Sequence, residues 1–436
     1  MKPANRQGPT DVLLDVERMD LDGFGVSAYQ NKVVRVKAAL PGEAVTARIL
    51  RKRKGELLAE AKEVSSSHGD RRRAPCNHYP RCGGCVLQHL DYSAQLRFKQ
   101  QQLLDALSSQ GIAPLQVSEP ASGPRLRYRR KARLGVKQLS NELLVGFRES
   151  FSARVGRLQA CETLADPFGQ ELVHYAGLIS QLSCAAQVPQ LEVAAGDHER
   201  QVIVRHLAPM SAQDMTLLGE FEQQHDLRLL LQAGGPSTVC TLTAAPVPLL
   251  EYGLPQYGLS LQFAAAQFTQ VNPWINARLA SDIGALVRQL GARRALDLFC
   301  GIGNFSLPLA RLGLQVHGVE LGEDAVARAT ANAQRNSLSN RCEFIAADLY
   351  DPGAASLKVP AAELLLLDPP RSGAGPNLGH WLGPEVRSVI YVSCNPTTFA
   401  SDAQVMADAG FVLERVGIYD MFPQTSHVET LGLFRR

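Results

Sequence analysis

The stretch "LDLFCGIGNFSL" (residues 296–307) decides how the rest of the chain is read. An apolar run leads into a turn with glycines at 301 and 303, and a helical pattern follows at once. Glycine at such a turn lets the backbone bend sharply and lets a ligand approach without a Cβ in the way. Glu320 closes the next apolar run, 23 residues after Asp297, where a carboxylate can accept hydrogen bonds from both hydroxyls of a ribose. The third glycine of a dinucleotide fingerprint is missing, and Asn304 and Phe305 stand where a phosphate would want a cation. A ligand with a ribose but no pyrophosphate, S-adenosylmethionine, fits this loop better than a dinucleotide.

Outward from this loop, residues 268–436 alternate strand-like and helix-like segments to the end of the chain. That alternation predicts a mostly parallel, doubly wound sheet, a Rossmann-like methyltransferase domain. Two later strands end in chemistry-bearing residues, on the rim where open α/β sheets bind ligands. One is "LLLLDPPRSG" (364–373), in which Asp368 follows four leucines; the other is "IYVSCNP" (390–396), which ends on Cys394. A thiol beside a methyl donor has a specific use. The C5 carbon of uracil is a poor nucleophile until a thiolate adds to C6 and makes the ring an enolate. A base must then take the C5 proton so that the thiolate can leave. "FPQTSHVET" (422–430) offers His427 and Glu429, of which Glu429 is the better base.

The front of the chain is different. Residues 1–135 carry 24 Lys and Arg against 13 Asp and Glu, and the remainder carries 21 against 29, so a basic front is joined to an acidic rear. Such an asymmetry points to a polyanionic partner at the front. Residues 1–68 read as a small β-barrel of OB type with "RKRKGE" (51–56) on a hairpin turn, and 69–267 as a mixed α+β domain, before the domain 268–436. Within 69–267, helices are expected over Tyr92–Leu107 and near 165–183 and 211–224. "RLRYRRKARL" (125–134) is expected to be a strand with a basic face that meets phosphates together with Arg51, Lys52, Arg53, Lys54 and Arg71 to Arg73. No apolar run approaches the length of a membrane span and no signal sequence is evident, so a cytoplasmic location, no membrane and no obligate protein partner are expected.

Nine cysteines, an odd number, argue against a disulfide framework. Four have a pattern: "CNHYPRCGGC" supplies Cys76, Cys82 and Cys85, and Cys161 follows in "LQACETL" after 75 intervening residues. The five-residue gap is wide for a zinc pair and suits an iron–sulfur cubane better, although zinc remains open on spacing alone.

Together, "FTQVN" (268–272), "LDLFCGIGNF", "LLDPPRSG", "YVSCNP" and "DMFPQTSHVE" closely resemble the RNA (uracil-5-)methyltransferase family over essentially the whole chain. The resemblance makes the N-terminal domain TRAM-like and the four cysteines, Cys76, Cys82, Cys85 and Cys161, ligands of a [4Fe–4S] cluster. Cys394 becomes the nucleophile and Glu429 the base. Gln270, Phe299, Asn304, Glu320, Asp348 and Asp368 line the S-adenosylmethionine pocket and the space beside the target base, and Phe268 stacks on RNA. Within the family, the barrel and the cysteine loop are similar to the branch that modifies uridine 1939 of 23S rRNA. The alternatives are a tRNA-directed uracil-5-methyltransferase and an exocyclic-amine methyltransferase built on "DPP". Arg371 stands where the latter would place an aromatic residue.

Overall fold

The computed structural model describes residues 10–436; the first nine residues of the expected N-terminal domain lie outside it. Strands Asp11–Asp15, Arg18–Met19, Gly25–Tyr29, Lys32–Lys37, Ala44–Arg53 and Glu56–Ser66 form one six-stranded sheet. Period-two alternation buries Val12 and Leu14 against Val34, Val36, Val45 and Ala47. Lys54 and Gly55, with φ of 47° and 90°, make the two-residue turn of the longest hairpin. They leave Arg51, Lys52, Arg53 and Lys54 exposed at its tip.

The central sheet holds Lys131–Gln138, Leu143–Gly146, Gln190–Ala195, Arg200–Arg205, Arg228–Gln232 and Val239–Thr241. Helices Leu172–Gln181 and Ala212–His225 pack into its core through Tyr175, Ile179, Leu218 and Phe221. The first helix begins seven residues later than the 165–183 expectation because Pro167 and Gly169 interrupt it. The second is set by a capping box in which the Ser211 hydroxyl accepts from Asp214 N at 3.1 Å and Asp214 accepts from Ser211 N at 2.8 Å.

The basic stretch 125–134 is not one strand. Regular pairing starts at Lys131, and Arg127 has a φ of 56°. Tyr128 is buried and donates to the Pro423 carbonyl at 3.0 Å, Arg129 stacks over the Phe422 ring at 5.7 Å, and Lys131 donates to the Ala265 carbonyl at 2.6 Å. Half of these side chains are therefore internal struts; Arg125, Arg127 and Arg133 are exposed, with Arg127 paired to Asp166 at 2.9 Å and Arg133 to Glu192 at 3.1 Å. Arg71 is likewise paired to the buried Glu43 at 2.5 Å.

We number the strands of the C-terminal sheet β1 (Arg294–Leu298), β2 (Gln315–Glu320), β3 (Cys342–Ala346), β4 (Leu364–Leu367), β5 (Ser388–Ser393), β6 (Val412–Tyr419) and β7 (Glu429–Arg435). Their order is β3-β2-β1-β4-β5-β7-β6, with β7 antiparallel to both neighbours. Two elements from before residue 268 complete this unit. Helix Tyr92–Ser109 buries Leu103 and Leu107 among Phe399, Met406 and Val416, and strand Gln116–Val117 pairs with β6. The hairpin Leu250–Leu254 with Leu259–Phe263 packs on the opposite face against Ile283, Leu286 and Ile302. Among the described residues no helix is long and apolar enough to cross a membrane.

One ion pair ties helix Tyr92–Ser109 to the segment before β7. Lys99 Nζ lies 2.5 Å from Asp420 Oδ1, both side chains are fully buried, and Tyr92 Oη donates to Asp420 Oδ2 at 2.8 Å. Burial pulls the Lys99 ammonium below the usual lysine range and Asp420 opposes the shift. Removing one partner leaves a buried charge alone, so Lys99→Met should lower unfolding stability by about 3–5 kcal/mol, read from urea denaturation.

Candidate active site

The strand order reverses between β1 and β4, and the loops after them part to opposite faces, which opens a crevice at their carboxyl ends. Gly301 and Gly303 have φ of 55° and 88°, the left-handed backbone that favours glycine over residues with a side chain. Phe299 also takes a left-handed φ of 65°, which costs a side-chain-bearing residue about 1–2 kcal/mol. Its ring stands 6.0 Å from that of Tyr350, on the far side of the loop. Glu320 accepts from Gly301 N at 3.1 Å and from Leu321 N at 2.9 Å, so its carboxylate links the end of β2 to the glycine turn.

Of the expected ligand-lining residues, Gln270 and Asp368 meet directly, Nε2 to Oδ2 at 3.3 Å. Asn304 is instead engaged on both sides of its amide, by Asn276 at 2.8 and 3.1 Å and by Tyr252 Oη at 2.8 Å. It holds the hairpin and helix Pro273–Leu290 against the loop. Asp348 is exposed and accepts from Tyr350 N at 2.9 Å. Asp297, read in the sequence only as a spacing marker, is a fully buried carboxyl that accepts from the Ser306 hydroxyl. Burial pushes it up to about 7.

The thiol and its companions are brought together by β-sheet register. Ser393 pairs with Thr430, so the next position along sets Cys394 across from Glu429. Cys394 is half-buried; burial raises its thiol to about 11, with Glu429 adding to the rise and Arg371 opposing it. Glu429 is 3% exposed, and burial, reinforced by Asp368, holds its carboxyl well above the usual range. Asp368 is pushed up to about 7 by burial and by Asp297, against the Gln270 hydrogen bond. Several carboxyl groups therefore share a water-poor site, where they resist ionising together.

Arg371 was singled out in the sequence only for what it excluded. Its Nη2 lies 3.3 Å from His427 Nε2, and its carbonyl accepts from Asn395 Nδ2 at 2.9 Å and Thr398 Oγ1 at 3.3 Å. It is thus clamped by residues just after the thiol. Arg371, Cys394 and His427 line an open cleft of about 470 Å³, whose other wall is helix Tyr92–Ser109 and the Leu21–Asp22 loop. Phe268, near Gln270, is 74% exposed.

The four patterned cysteines also converge. Cys76, Cys82, Cys85 and Cys161, with Phe147 and Leu158, line a small, mainly apolar cavity of about 20 Å³. Burial pushes the Cys82 and Cys85 thiols up to about 12. Cys161 is placed by a short loop, its N–H donating to the Gly169 carbonyl at 2.8 Å. His78, near these thiols, accepts from Gln159 N at 3.1 Å. Among the described residues, no three His, Cys, Asp or Glu side chains form a set that could hold a single metal ion.

The family description "tRNA (Uracil-5-)-methyltransferase" matches residues 353–436, and "Methyltransferase domain" matches 291–358. The chain is 40% identical over 434 residues to the 23S rRNA (uracil(1939)-C(5))-methyltransferase RlmD of Hahella chejuensis, covering 98% of this chain and 97% of that one. It is 40% identical over 439 residues to the protein of the same name from Acidithiobacillus ferrooxidans, covering 100% and 99%. The crystal structure of Pyrococcus abyssi tRNA (uracil-54, C5)-methyltransferase with S-adenosyl-L-homocysteine shares the fold, with a TM-score of 0.76 at 22% identity over 97% and 99% of the two chains.

Because the Cys394 thiol ionises only near about 11, its alkylation by iodoacetamide should be slow at neutral pH and climb as pH rises toward that value. Arg371→Gln removes the opposing cation and should move the climb to higher pH; Glu429→Gln should move it lower. Peptide-resolved mass spectrometry separates Cys394 from the other eight thiols.

Proposed function

The chain belongs to the 23S rRNA (uracil-C5)-methyltransferase family, and from that membership we propose that Cys394 and Glu429 methylate C5 of uridine 1939 in 23S rRNA. The observation that carries the assignment is the register that sets Cys394 across from Glu429 on the rim of a methyltransferase sheet. S-adenosylmethionine supplies the electrophilic methyl group. Gln270, Phe299, Glu320 and Asp368 are the residues assigned to its pocket and to the adjoining base, with Asn304 supporting the loop and Asp348 at the exposed rim.

The target uridine must leave its stack for C6 to meet the thiol from one face and C5 the methyl donor from the other. The resting thiol is protonated, so binding has to ionise it. Arg371, the one cation that opposes the rise at Cys394, favours the thiolate. The thiolate sulfur bonds to C6, and the C5–C6 π electrons move into the enolate. C5 takes the methyl group as the sulfonium S–CH3 bond breaks, leaving S-adenosylhomocysteine. Glu429, carboxylate at this stage, then accepts the C5 proton, the C5–C6 double bond re-forms and the C6–S bond breaks. A carboxyl held well above its normal range in the resting site is a strong base once it is ionised.

The four cysteines are assigned to a [4Fe–4S] cluster. Their place around one mainly apolar cavity fits a group held by four thiolates. The chain's own part is to supply the thiols and a dry lining. The exposed hairpin cations Arg51 to Lys54 and Arg125, Arg127 and Arg133 are assigned to RNA phosphates, which fits a TRAM-like role for the first sheet.

With S-adenosylmethionine and a 23S rRNA fragment carrying 5-fluorouridine at the target, wild type should form a heat-stable covalent adduct, since fluorine cannot leave as a proton. Cys394→Ala should form none. Glu429→Gln should accumulate a C5-methylated adduct even with ordinary uridine. Labelled methyl in RNA without any adduct would instead support exocyclic-amine methylation. Protein purified without oxygen should contain about four irons and four sulfides per chain. Cys85→Ser should lose the visible absorbance that accompanies them, and stoichiometric zinc would overturn the cluster assignment.

A further inference from the structure

The segment that delivers Glu429 is held by the cysteine loop, and one pair of amides makes the joint. The Gln424 carbonyl accepts from Val86 N at 2.9 Å and Leu87 N at 3.0 Å, the two residues that follow Cys85. The Gln95 and Gln424 side chains close a second tie: Gln95 Oε1 accepts from Gln424 N at 3.2 Å, and Gln95 Nε2 donates to Gln424 Oε1 at 3.1 Å. The same Nε2 group also donates to the Leu87 and Leu90 carbonyls, at 3.0 and 2.9 Å. Both glutamines are buried, and Gln424 sits at a φ of 70°, a conformation that a side-chain-bearing residue keeps only when its surroundings impose it.

From Gln424 the chain has no freedom before the base. The Thr425 hydroxyl donates to the Phe422 carbonyl at 2.8 Å and accepts from His427 N at 3.2 Å, and β7 begins at Glu429. We propose that Gln95 and Gln424 are positioning residues through which the cysteine loop sets the Glu429 carboxylate for removal of the C5 proton. The inference rests on the assignment of Glu429 as that base. It makes the joint specific to the last chemical step, in which the C5–H bond breaks, its electron pair re-forms the C5–C6 double bond and the C6–S bond releases the thiolate. Addition of Cys394 to C6 and methyl transfer do not pass through this joint, because Cys394 is carried by β5.

The test separates those steps. Gln95→Leu is compared with wild type for turnover on uridine-containing 23S rRNA fragment and for trapping on the 5-fluorouridine fragment, both with S-adenosylmethionine. The expected result is a kcat lower by about 10²-fold, the scale of a small misplacement of a reacting group. KM for both substrates and the trapping rate stay unchanged, and C5-methylated adduct builds up on ordinary uridine. Turnover equal to wild type overturns the inference, as does parallel loss of turnover and trapping, which would mark a general structural role. Should Gln95→Leu fail to fold, Gln424→Gly carries the test. Glycine adopts the positive φ without strain and keeps the carbonyl that Val86 and Leu87 hold, so the same split between turnover and trapping is expected. Absence of trapping by wild type would remove the underlying assignment of Cys394 and Glu429 before the variants are compared.

Discussion

The antiparallel insertion of β7 between β5 and β6 is the constraint on which the site depends. Every other strand of the C-terminal sheet runs parallel, except where β7 meets its neighbours, and a parallel neighbour would carry its own carboxyl end to the rim. Reversal brings an amino end there instead. The first residue of the last strand, Glu429, thereby stands beside the residue just past the end of β5, Cys394. A one-residue slip of β7 would turn Glu429 to the opposite face of the sheet from Cys394. Such a slip is resisted because the ladder buries Ile390, Val392, Leu431 and Leu433 on one face and Tyr391 and Phe434 on the other.

Around that pairing the dominant electrostatic feature is a surplus of carboxyl groups in a dry crevice. Asp297, Asp368 and Glu429 all rise because burial penalises the charged form, with Asp297 adding to the rise at Asp368 and Asp368 to that at Glu429. Arg371 is the cation facing this group from the cleft side. A site so arranged favours a cationic sulfonium ligand beside the carboxyl groups, while the guanidinium offsets only part of the rise at the Cys394 thiol.

The sequence was most informative where local pattern and function coincide. The glycine turn, the doubly wound alternation and the thiol at the end of β5 were all legible because strand ends and Gly-x-Gly turns are written in adjacent residues. Cys161 was set with the three clustered cysteines 75 residues earlier as the fourth of a pattern, and the fold brings it to them. The basic stretch 125–134 misled for a physical reason: cations were counted as surface, whereas Tyr128, Arg129 and Lys131 are turned inward by hydrogen bonds and ring contacts with distant segments. Two features of the glycine turn were also out of reach: the Asn304 amide ties the loop to helix Pro273–Leu290, and Asp297 is a buried acid, because both depend on what distant segments bring to them.

The two-residue strand Gln116–Val117 is small, yet it lies along the outer side of β6 and, with helix Tyr92–Ser109, closes one flank of the C-terminal unit. That unit is therefore not a transferable module. Severed at residue 268, it would present an open sheet edge and an uncovered apolar layer around Phe399 and Met406, the kind of surface that recruits other chains. In this protein the C-terminal sheet and the segments that precede it form one packed piece, and a cut at the apparent boundary would separate neither cleanly.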